Sequence, residues 1–256
     1  MRPLERQRAI ASLVDRQGDL TVEEACRTLG ISPATTRRDF VELTKRGTVE
    51  KTWGGVKRPA TRSPAVDMLP SSLRESLNVA EKERIARAAC RLIQDGDVLM
   101  IDGGTTTLCM AHHLANRPVR ILTNSILIAH RIDSLRSVTE GAEVFLTGGF
   151  LYPGSGLLVG PEAVQSLSQY HARWAFLSVG GLDAEGGTNT NHMVVESERA
   201  MIRVAESIVV VADSSKWKRR EMVRAFTWKE VGTLVTDPRF PMSVSPELTE
   251  KIQFAS

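Results

Sequence analysis

The sequence predicts an α/β protein in two parts, a small and mostly helical head followed by a larger body built on a parallel sheet. Three observations predict this division. Helical periodicity dominates the first residues of the chain, a proline-containing stretch without a clear period follows, and continuous apolar runs then alternate with helical segments. Such runs are typical of parallel strands buried on both faces. With 256 residues and 42% apolar content, the body can bury a substantial core.

Charge is distributed unevenly between the two parts. Residues 1–62 contain 13 Lys and Arg against 8 Asp and Glu, a net of +5, so the rest holds 33 − 13 = 20 basic and 30 − 8 = 22 acidic residues, a net of −2. A basic module on a slightly acidic body is typical of nucleic-acid binding. We predict a head at 1–58, a linker at 59–74 and a body at 75–256.

The first two elements of the head are amphipathic helices. The first carries its apolar residues on one face, at Leu4, Ile10, Leu13 and Val14. The second begins at Thr21, which together with Glu24 has the spacing of a capping box. Gly30 and Ile31 then make a very short connection to a third helix.

The third helix has signals at both ends. Ser32 is a good N-cap, Pro33 suits the first helical position, and Gly47 suits the stop. The spacing of Thr36, Phe40 and Leu43 predicts one buried stripe. Two short helices joined by such a turn predict a helix-turn-helix whose second helix can enter a DNA major groove.

Residues 48–58 predict a β-hairpin with a basic tip, which completes a winged helix-turn-helix. The alternative is a small helical hairpin with its arginines on a solvated face; the flanking helix and hairpin favour the DNA-binding interpretation. The residues that we predict to contact DNA are Ser32, Pro33, Thr35, Arg37, Arg38, Lys51, Trp53, Gly54 and Gly55.

The body alternates helices and strands. A helix capped by Asn78 is expected to run to about Gln94. Apolar runs predict buried strands at 98–101, 119–122, 144–147, 175–179 and 208–212. Helical segments are predicted at 105–115, 125–133, 161–168 and 193–206. This order predicts a parallel sheet covered on both faces.

Polar and glycine-rich segments follow these strands. Ligands of parallel sheets bind beyond the carboxyl ends of the strands, so these segments are expected to converge. Any one of them is compatible with an ordinary turn, but five together predict a site for a small, polyhydroxylated, phosphorylated molecule. We interpret Asp102 and Asp183 as hydroxyl acceptors and Lys216 as a phosphate or hydroxyl partner. The predicted ligand residues are Asp102, Gly103, Gly104, Thr105, Thr106, Thr107, Thr123, Asn124, Gly148, Gly149, Gly160, Gly181, Asp183, Asp213 and Lys216.

The chain resembles the DeoR family of bacterial transcriptional regulators. In the head the resemblance rests on the Ser32–Phe40 motif, Leu43, Gly47 and the Trp53-Gly-Gly wing, where the family usually has His in place of Trp. In the body it rests on Glu81-Lys82, Asp95-Gly-Asp97, Asp102–Thr106, Thr123-Asn124, Gly148-Gly149, Gly180-Gly181 and Asp213–Lys216. It implies a sensor domain akin to ribose-5-phosphate isomerase and a repressor of a carbohydrate-utilisation operon. Operator DNA, a phosphorylated sugar and a second copy of the chain are the implied partners.

The alternative function is a sugar-phosphate isomerase fused to a DNA-binding head. Asp102, Asp183, Glu185, Glu196 and Lys216 supply acid and base groups, but the sequence gives them no catalytic geometry. We therefore predict no catalytic residues, no cofactor and no metal. Three cysteines without a C-x-x-C spacing and no apolar run of membrane-spanning length predict a cytoplasmic protein.

Overall fold

The computed structural model describes residues 3–45, 47–58 and 74–255. The chain divides into two compact units, Met1–Val79 and Ala80–Ser256. Most of the predicted linker, residues 59–73, lies outside the described residues. The predicted domain boundaries therefore stay a prediction.

Residues 3–58 of the first unit, as far as they are described, form three helices and three short strands. They are α1 (Pro3–Gln17), β1 (Asp19–Thr21), α2 (Val22–Leu29), α3 (Pro33–Lys45), β2 (Glu50–Thr52) and β3 (Gly55–Lys57). The strands form an antiparallel sheet in the order β1-β3-β2. The predicted helices and hairpin are confirmed, whereas β1, only three residues long, was not predicted. Leu4, expected on the inner face of α1, is 43% exposed, while Ile10, Leu13 and Val14 are buried.

Local capping explains where the helices of the head begin and end. The hydroxyl of Thr21 accepts a hydrogen bond from the Glu24 amide at 3.2 Å, and the Glu24 carboxylate accepts one from the Thr21 amide at 2.8 Å. Gly30 ends α2 in the left-handed conformation, which glycine adopts without steric cost. The Ser32 hydroxyl accepts from the Thr35 amide at 3.2 Å and starts α3. The predicted capping box and the Ser32 cap are confirmed.

The second unit is a seven-stranded parallel sheet with helices on both faces. Its strand order is β15-β14-β12-β9-β4-β5-β6. The strands of this sheet are β4 (Val98–Ile101), β5 (Arg120–Thr123), β6 (Glu143–Leu146), β9 (Ala172–Leu177), β12 (Ala205–Val211), β14 (Thr233–Thr236) and β15 (Ile252–Phe254). The helices are α4 (Val79–Cys90), α5 (Thr105–Cys109), α6 (Ala111–Leu114), α7 (Ile126–Leu135), α8 (Pro161–Leu167), α9 (His192–Val204) and α10 (Pro246–Thr249).

Side chains that alternate along the strands build two hydrophobic cores, one on each face of the sheet. In β4, Leu99 and Ile101 join the core that contains Ile85 of α4, while Met100 joins the core that contains Met201 of α9. This alternation is the two-residue period of a strand. The predicted α/β fold with a covered parallel sheet is confirmed.

Several details of the second unit differ from the predictions. The segment predicted as one helix at 105–115 is two short helices, α5 and α6, and α4 ends at Cys90 rather than near Gln94. Strand β6 lies at the edge of the sheet and is largely exposed, so its prediction as a buried strand was wrong. Two antiparallel sheets were not predicted: β7 (Phe150–Tyr152) with β8 (Leu157–Val159), and β10 (Gly181–Leu182) with β11 (Gly186–Asn189) and β13 (Val223–Thr227). These strands are too short for a clear period in the sequence, and β10 and β11 also contain glycines.

No helix within the described ranges is both long enough and apolar enough to cross a membrane.

Candidate functional site

The strand order of the large sheet reverses between β4 and β9. From β4 the chain adds β5 and β6 on one side, and from β9 it adds β12, β14 and β15 on the other. A crevice opens at such a switch point, outside the carboxyl ends of the strands, and it is the usual ligand site of this architecture. Asp102 follows β4 and Ser178 follows β9, so both lie at this crevice.

Asp102 connects the ends of three neighbouring strands. Its carboxylate accepts a hydrogen bond from the Ser178 hydroxyl at 2.9 Å and from the Asn124 side-chain amide at 3.5 Å. Asn124 in turn accepts from the Gly103 amide at 3.1 Å. Asp102 and Asn124 are fully buried. Burial raises the pKa of Asp102, although these hydrogen bonds act in the opposite direction.

Glu198 of α9 is a second buried carboxyl group close to Asp102. Its Oε1 accepts a hydrogen bond from the Asn189 side-chain amide at 2.6 Å, while its buried Oε2 has no hydrogen-bond partner. Burial, together with the negative charge of Asp102, raises the pKa of Glu198 well above its ordinary value. Because Asp102 receives more donors, we assign the proton to Glu198. A buried group left unsatisfied costs about 1–3 kcal/mol, so Oε2 marks a position where a ligand contact would be favourable.

Sequence reasoning considered the neighbouring Glu196 and missed Glu198. The signal was present, because Glu198 has the helical spacing of Val194 and Met201, which are buried on the inner face of α9. A glutamate at an apolar position of an amphipathic helix is the informative exception. Glu196 instead lies on the exposed side, where it pairs with His192 at 3.1 Å.

We expect Glu198→Gln to flatten the pH dependence of stability. In the unfolded chain this carboxyl ionises near its ordinary pKa of 4.5, whereas the folded chain keeps its proton to higher pH. Between these two values the folded state binds more protons, so the free energy of unfolding of the wild type falls as pH rises. Glutamine cannot titrate and keeps an oxygen to accept from Asn189. Urea unfolding between pH 4 and pH 8, followed by circular dichroism, measures the difference.

The matched control is Glu196→Gln on the exposed side of the same helix. It removes one carboxyl group without touching the buried pair, so its stability curve should run parallel to that of the wild type. Parallel curves for Glu198→Gln and the wild type would show that Glu198 is not held protonated.

The glycines after β4 allow a close approach of three segments. A Cβ atom on Gly103 would overlap Leu157, and one on Gly104 would overlap Ser178. Thr107 accepts a hydrogen bond from the Gly104 amide at 2.8 Å and donates one to the Gly104 carbonyl at 3.0 Å. The predicted phosphate-binding turn, Thr105–Thr107, therefore begins a helix of only five residues whose first amides lack intrahelical partners.

The other residues predicted to bind ligand lie at several places around the sheet. Thr123 is buried and donates to the Ile101 carbonyl at 2.6 Å. Gly148 and Gly149 follow β6, Gly160 precedes α8, and Gly181 begins β10. Asp213 is buried, and its carboxylate accepts a hydrogen bond from the Ser215 amide at 3.0 Å, which caps the 3₁₀ turn Ser214–Lys216. This turn follows the end of β12, so Lys216 lies at the same sheet edge as Asp102.

Asp183, which we predicted to accept ligand hydroxyls, forms ion pairs within the protein. It lies between β10 and β11, outside the parallel sheet, and its two oxygens accept from Arg224 at 2.8 and 2.9 Å. Arg220 donates to it at 2.9 Å. Although partial burial opposes the effect, these hydrogen bonds hold the pKa of Asp183 well below its usual range. Because Arg220 and Arg224 already donate hydrogen bonds to this carboxylate, we omit Asp183 from the ligand contacts proposed below.

In the head, the predicted DNA-contacting residues lie on α3 and on the β2–β3 hairpin, which we call the wing. Arg37 and Arg38 are exposed on α3, while Ser32 and Thr35 form the cap that starts it next to Pro33. Trp53 at the tip of the wing is fully exposed. A groove of about 510 Å³ lies between α3 and the wing, and its lining includes Arg37, Lys51, Gly54 and Gly55.

Of the two acidic residues of α3, Asp39 and Glu42, the first is neutralised inside the head. Asp39 is buried and accepts hydrogen bonds from two α1 residues, Arg6 (Nη2, 3.2 Å) and Gln7 (3.3 Å). The same contacts fix α3 against α1. The outer face of α3 therefore keeps a positive charge, as binding to phosphates requires.

A winged helix-turn-helix with a basic outer face, on a chain whose sheet domain places buried polar side chains at the switch point of its sheet, defines the class of DNA-binding transcriptional regulators with a sensor domain. Family models agree with this class. Residues 6–62 match the DeoR-like helix-turn-helix domain, and residues 77–238 match the DeoR C terminal sensor domain. The chain belongs to the DeoR family.

Curated relatives match over almost the whole chain. The chain is 32% identical to the glycerol-3-phosphate regulon repressor of Escherichia coli K12, covering 98% of this chain and 97% of the relative. It is also 32% identical to a putative aga operon transcriptional repressor of E. coli O157:H7 (93% and 87% covered) and 30% identical to the HTH-type transcriptional regulator UlaR of Shigella sonnei (99% and 96%). The names of these relatives imply a regulator rather than an enzyme.

Solved structures resemble the chain only at low similarity. Ribose 5-phosphate isomerase A from Methanocaldococcus jannaschii is 17% identical, with 55% of each chain covered and a TM-score of 0.40. A translation initiation factor eIF-2B structure from Pyrococcus horikoshii OT3 is 15% identical, with 91% and 94% covered and a TM-score of 0.47.

Proposed function

We propose that this protein represses an operon for the use of a phosphorylated carbohydrate or polyol, and that the phosphorylated compound releases it from operator DNA. Full-length relatives named as repressors, one of them of a glycerol-3-phosphate regulon, support this proposal. The observation that carries it is the cluster of buried polar side chains at the switch point of the sheet, where the unsatisfied Glu198 oxygen lies close to Asp102.

The proposed effector contacts fall into two groups. The hydroxyl groups of the effector face Asp102 and Glu198 in the crevice, whereas its phosphate lies between the Thr105–Thr107 turn and Lys216. A cation and helix-start amides suit a phosphate, and buried carboxyl groups suit hydroxyls. Of the remaining predicted residues, Asn124 contacts the Asp102 carboxylate and the Gly103 amide, while Thr123 and Asp213 hold backbone groups beside the site. The glycines are proposed to let the backbone approach the ligand.

We propose that the protein acts in the cytoplasm as a homo-oligomer whose two heads bind paired half-sites. Binding of the effector then favours an arrangement of the heads that fits the operator less well. A ligand shifts such an equilibrium only as far as it binds the two arrangements with different affinity.

Fluorescence anisotropy tests this function. The labelled duplex comes from the promoter beside the gene, and the titrants are glycerol 3-phosphate and a panel of pentose and hexose phosphates. We expect nanomolar-range binding to the duplex and release by one of these compounds. A protein that selects no duplex over random DNA would contradict the proposal. Aldose–ketose interconversion that tracks the purified protein by NMR would favour the isomerase alternative.

We expect Lys216→Ala to weaken the response to effector. Loss of a charge-assisted hydrogen bond costs about 1.5–3 kcal/mol, which is more than tenfold in effector affinity. Binding to the operator without effector should stay nearly normal because the DNA-contacting residues belong to the other unit. Anisotropy of the protein–operator complex during effector titration measures the shift.

Lys229→Ala is the matched control for this substitution. Lys229 is exposed and also lies in a 3₁₀ turn, Trp228–Glu230. Its loss removes the same charge and should leave the release curve unchanged. Equal release curves for Lys216→Ala and the wild type would place the phosphate elsewhere.

A further inference from the structure

Val41 is an apolar residue on the outer face of α3. Its side chain is 49% exposed, while the neighbouring Phe40 and Leu43 are buried in the core of the head. A β-branched residue also has a lower helix propensity than alanine. Neither burial nor helix formation therefore accounts for valine at this position.

Three of the residues around Val41 on α3 are cationic, while the adjacent Glu42 is half-buried. Arg37 lies one helical turn before it and Lys45 one turn after it, and Arg38 lies three residues before it. All three side chains are exposed. Residues three and four apart are neighbours on a helix surface, so Val41 lies in the middle of a basic face.

This basic face continues to the wing. Val41, Arg37 and Lys45 all line the groove between α3 and the wing, and Lys51 lines it from the opposite side. A partner that fits must present negative charge at the edges of the groove and an apolar group at its centre. Duplex DNA offers both, because its phosphates flank a major groove in which the thymine C5-methyl is the apolar group on the base edges.

We propose that Val41 contacts a thymine methyl group and so determines part of the operator sequence. This inference rests on the proposed function, in which α3 enters the major groove. Arg37, Arg38 and Lys45 supply affinity through phosphates and base edges, whereas Val41 distinguishes thymine from cytosine at one base pair of each half-site.

The experiment begins with the operator that the wild-type protein selects from a pool of random duplexes. Each thymine of that operator is then replaced in turn by deoxyuridine, which lacks only the C5-methyl. At one thymine of each half-site we expect about a fourfold loss of wild-type affinity, the value of one buried methyl contact. Val41→Ala should lose about as much on the natural operator and show no further loss on that deoxyuridine duplex.

Val138→Ala is the control, because Val138 is exposed to a similar degree (46%) but lies in the second unit. It should retain the full deoxyuridine effect. The inference is overturned if no deoxyuridine substitution weakens binding to the selected operator. It is also overturned if Val41→Ala and the wild type lose affinity equally at every thymine. Either result leaves the proposed function intact. If the wild type selects no sequence, the proposed function fails first and the inference fails with it.

Discussion

Replacing Arg37 and Arg38 together with alanine should abolish specific operator binding at physiological salt. Both side chains are exposed near the start of α3, which is fixed by its own cap and by the contacts of Asp39. A lost base-edge contact costs about 1–3 kcal/mol, so the pair is expected to cost about 2–6 kcal/mol. Each lost phosphate contact would also reduce, by about one, the slope of the logarithm of affinity against the logarithm of salt concentration. Anisotropy titrations at several salt concentrations measure both quantities.

The control for this double variant is Arg87→Ala with Arg91→Ala. These two arginines are exposed on or just after α4 in the second unit, so the control removes the same charge from the chain. Its operator affinity should remain close to that of the wild type. If a folded Arg37/Arg38 variant binds the operator as the wild type does, then the outer face of α3 does not read DNA.

The second large effect is expected from Gly104→Ala, which should destabilise the sensor unit and remove the effector response. The added Cβ would overlap Ser178, whose hydroxyl donates to Asp102 at 2.9 Å. Overpacking of this kind costs about 1–3 kcal/mol, and it would also push apart the two strand ends that form the crevice. Thermal unfolding measures the stability change, and effector-induced release of operator DNA measures the response.

Two further variants separate the steric effect from a general loss of stability. Gly232→Ala adds a methyl group in the same unit, where the nearest atom is the Ile208 carbonyl oxygen at 3.4 Å, and it should be nearly neutral. Gly104→Ala combined with Ser178→Gly removes the atoms that overlap and should recover part of the lost stability. Wild-type stability and response in Gly104→Ala alone would argue against a crevice at this place.

The features that the sequence predicted well are those set by neighbours along the chain. The Thr21–Glu24 capping box and the Ser32 cap are local hydrogen bonds, so residue type and spacing suffice to recognise them. Four of the five predicted strands are buried in the sheet and were recognisable because an apolar run is visible without its partner, whereas β6 is an exposed edge strand and β14 and β15 were not predicted.

The features that were missed depend on contacts distant in sequence. That Ser178 meets Asp102 follows from the adjacency of β4 and β9, which strand order alone determines. Asp183 was predicted to accept ligand hydroxyls; its hydrogen bonds from Arg220 and Arg224, about forty residues further along the chain, could not be read from the sequence. Glu198 is the exception, since its apolar neighbours on α9 already mark it as unusual. The effector-binding and DNA-binding roles of the named residues stay predictions.

The anchoring of α3 by Asp39 has an evolutionary consequence. The residues that hold this helix in place are Thr36, Asp39, Phe40 and Leu43, and all of them are buried. The exposed residues Arg37, Arg38 and Val41 are separate from that set. Mutations on the outer face can therefore accumulate with little cost to the folding of the head. Duplicated copies of such a gene can diverge toward new target promoters while their architecture is preserved.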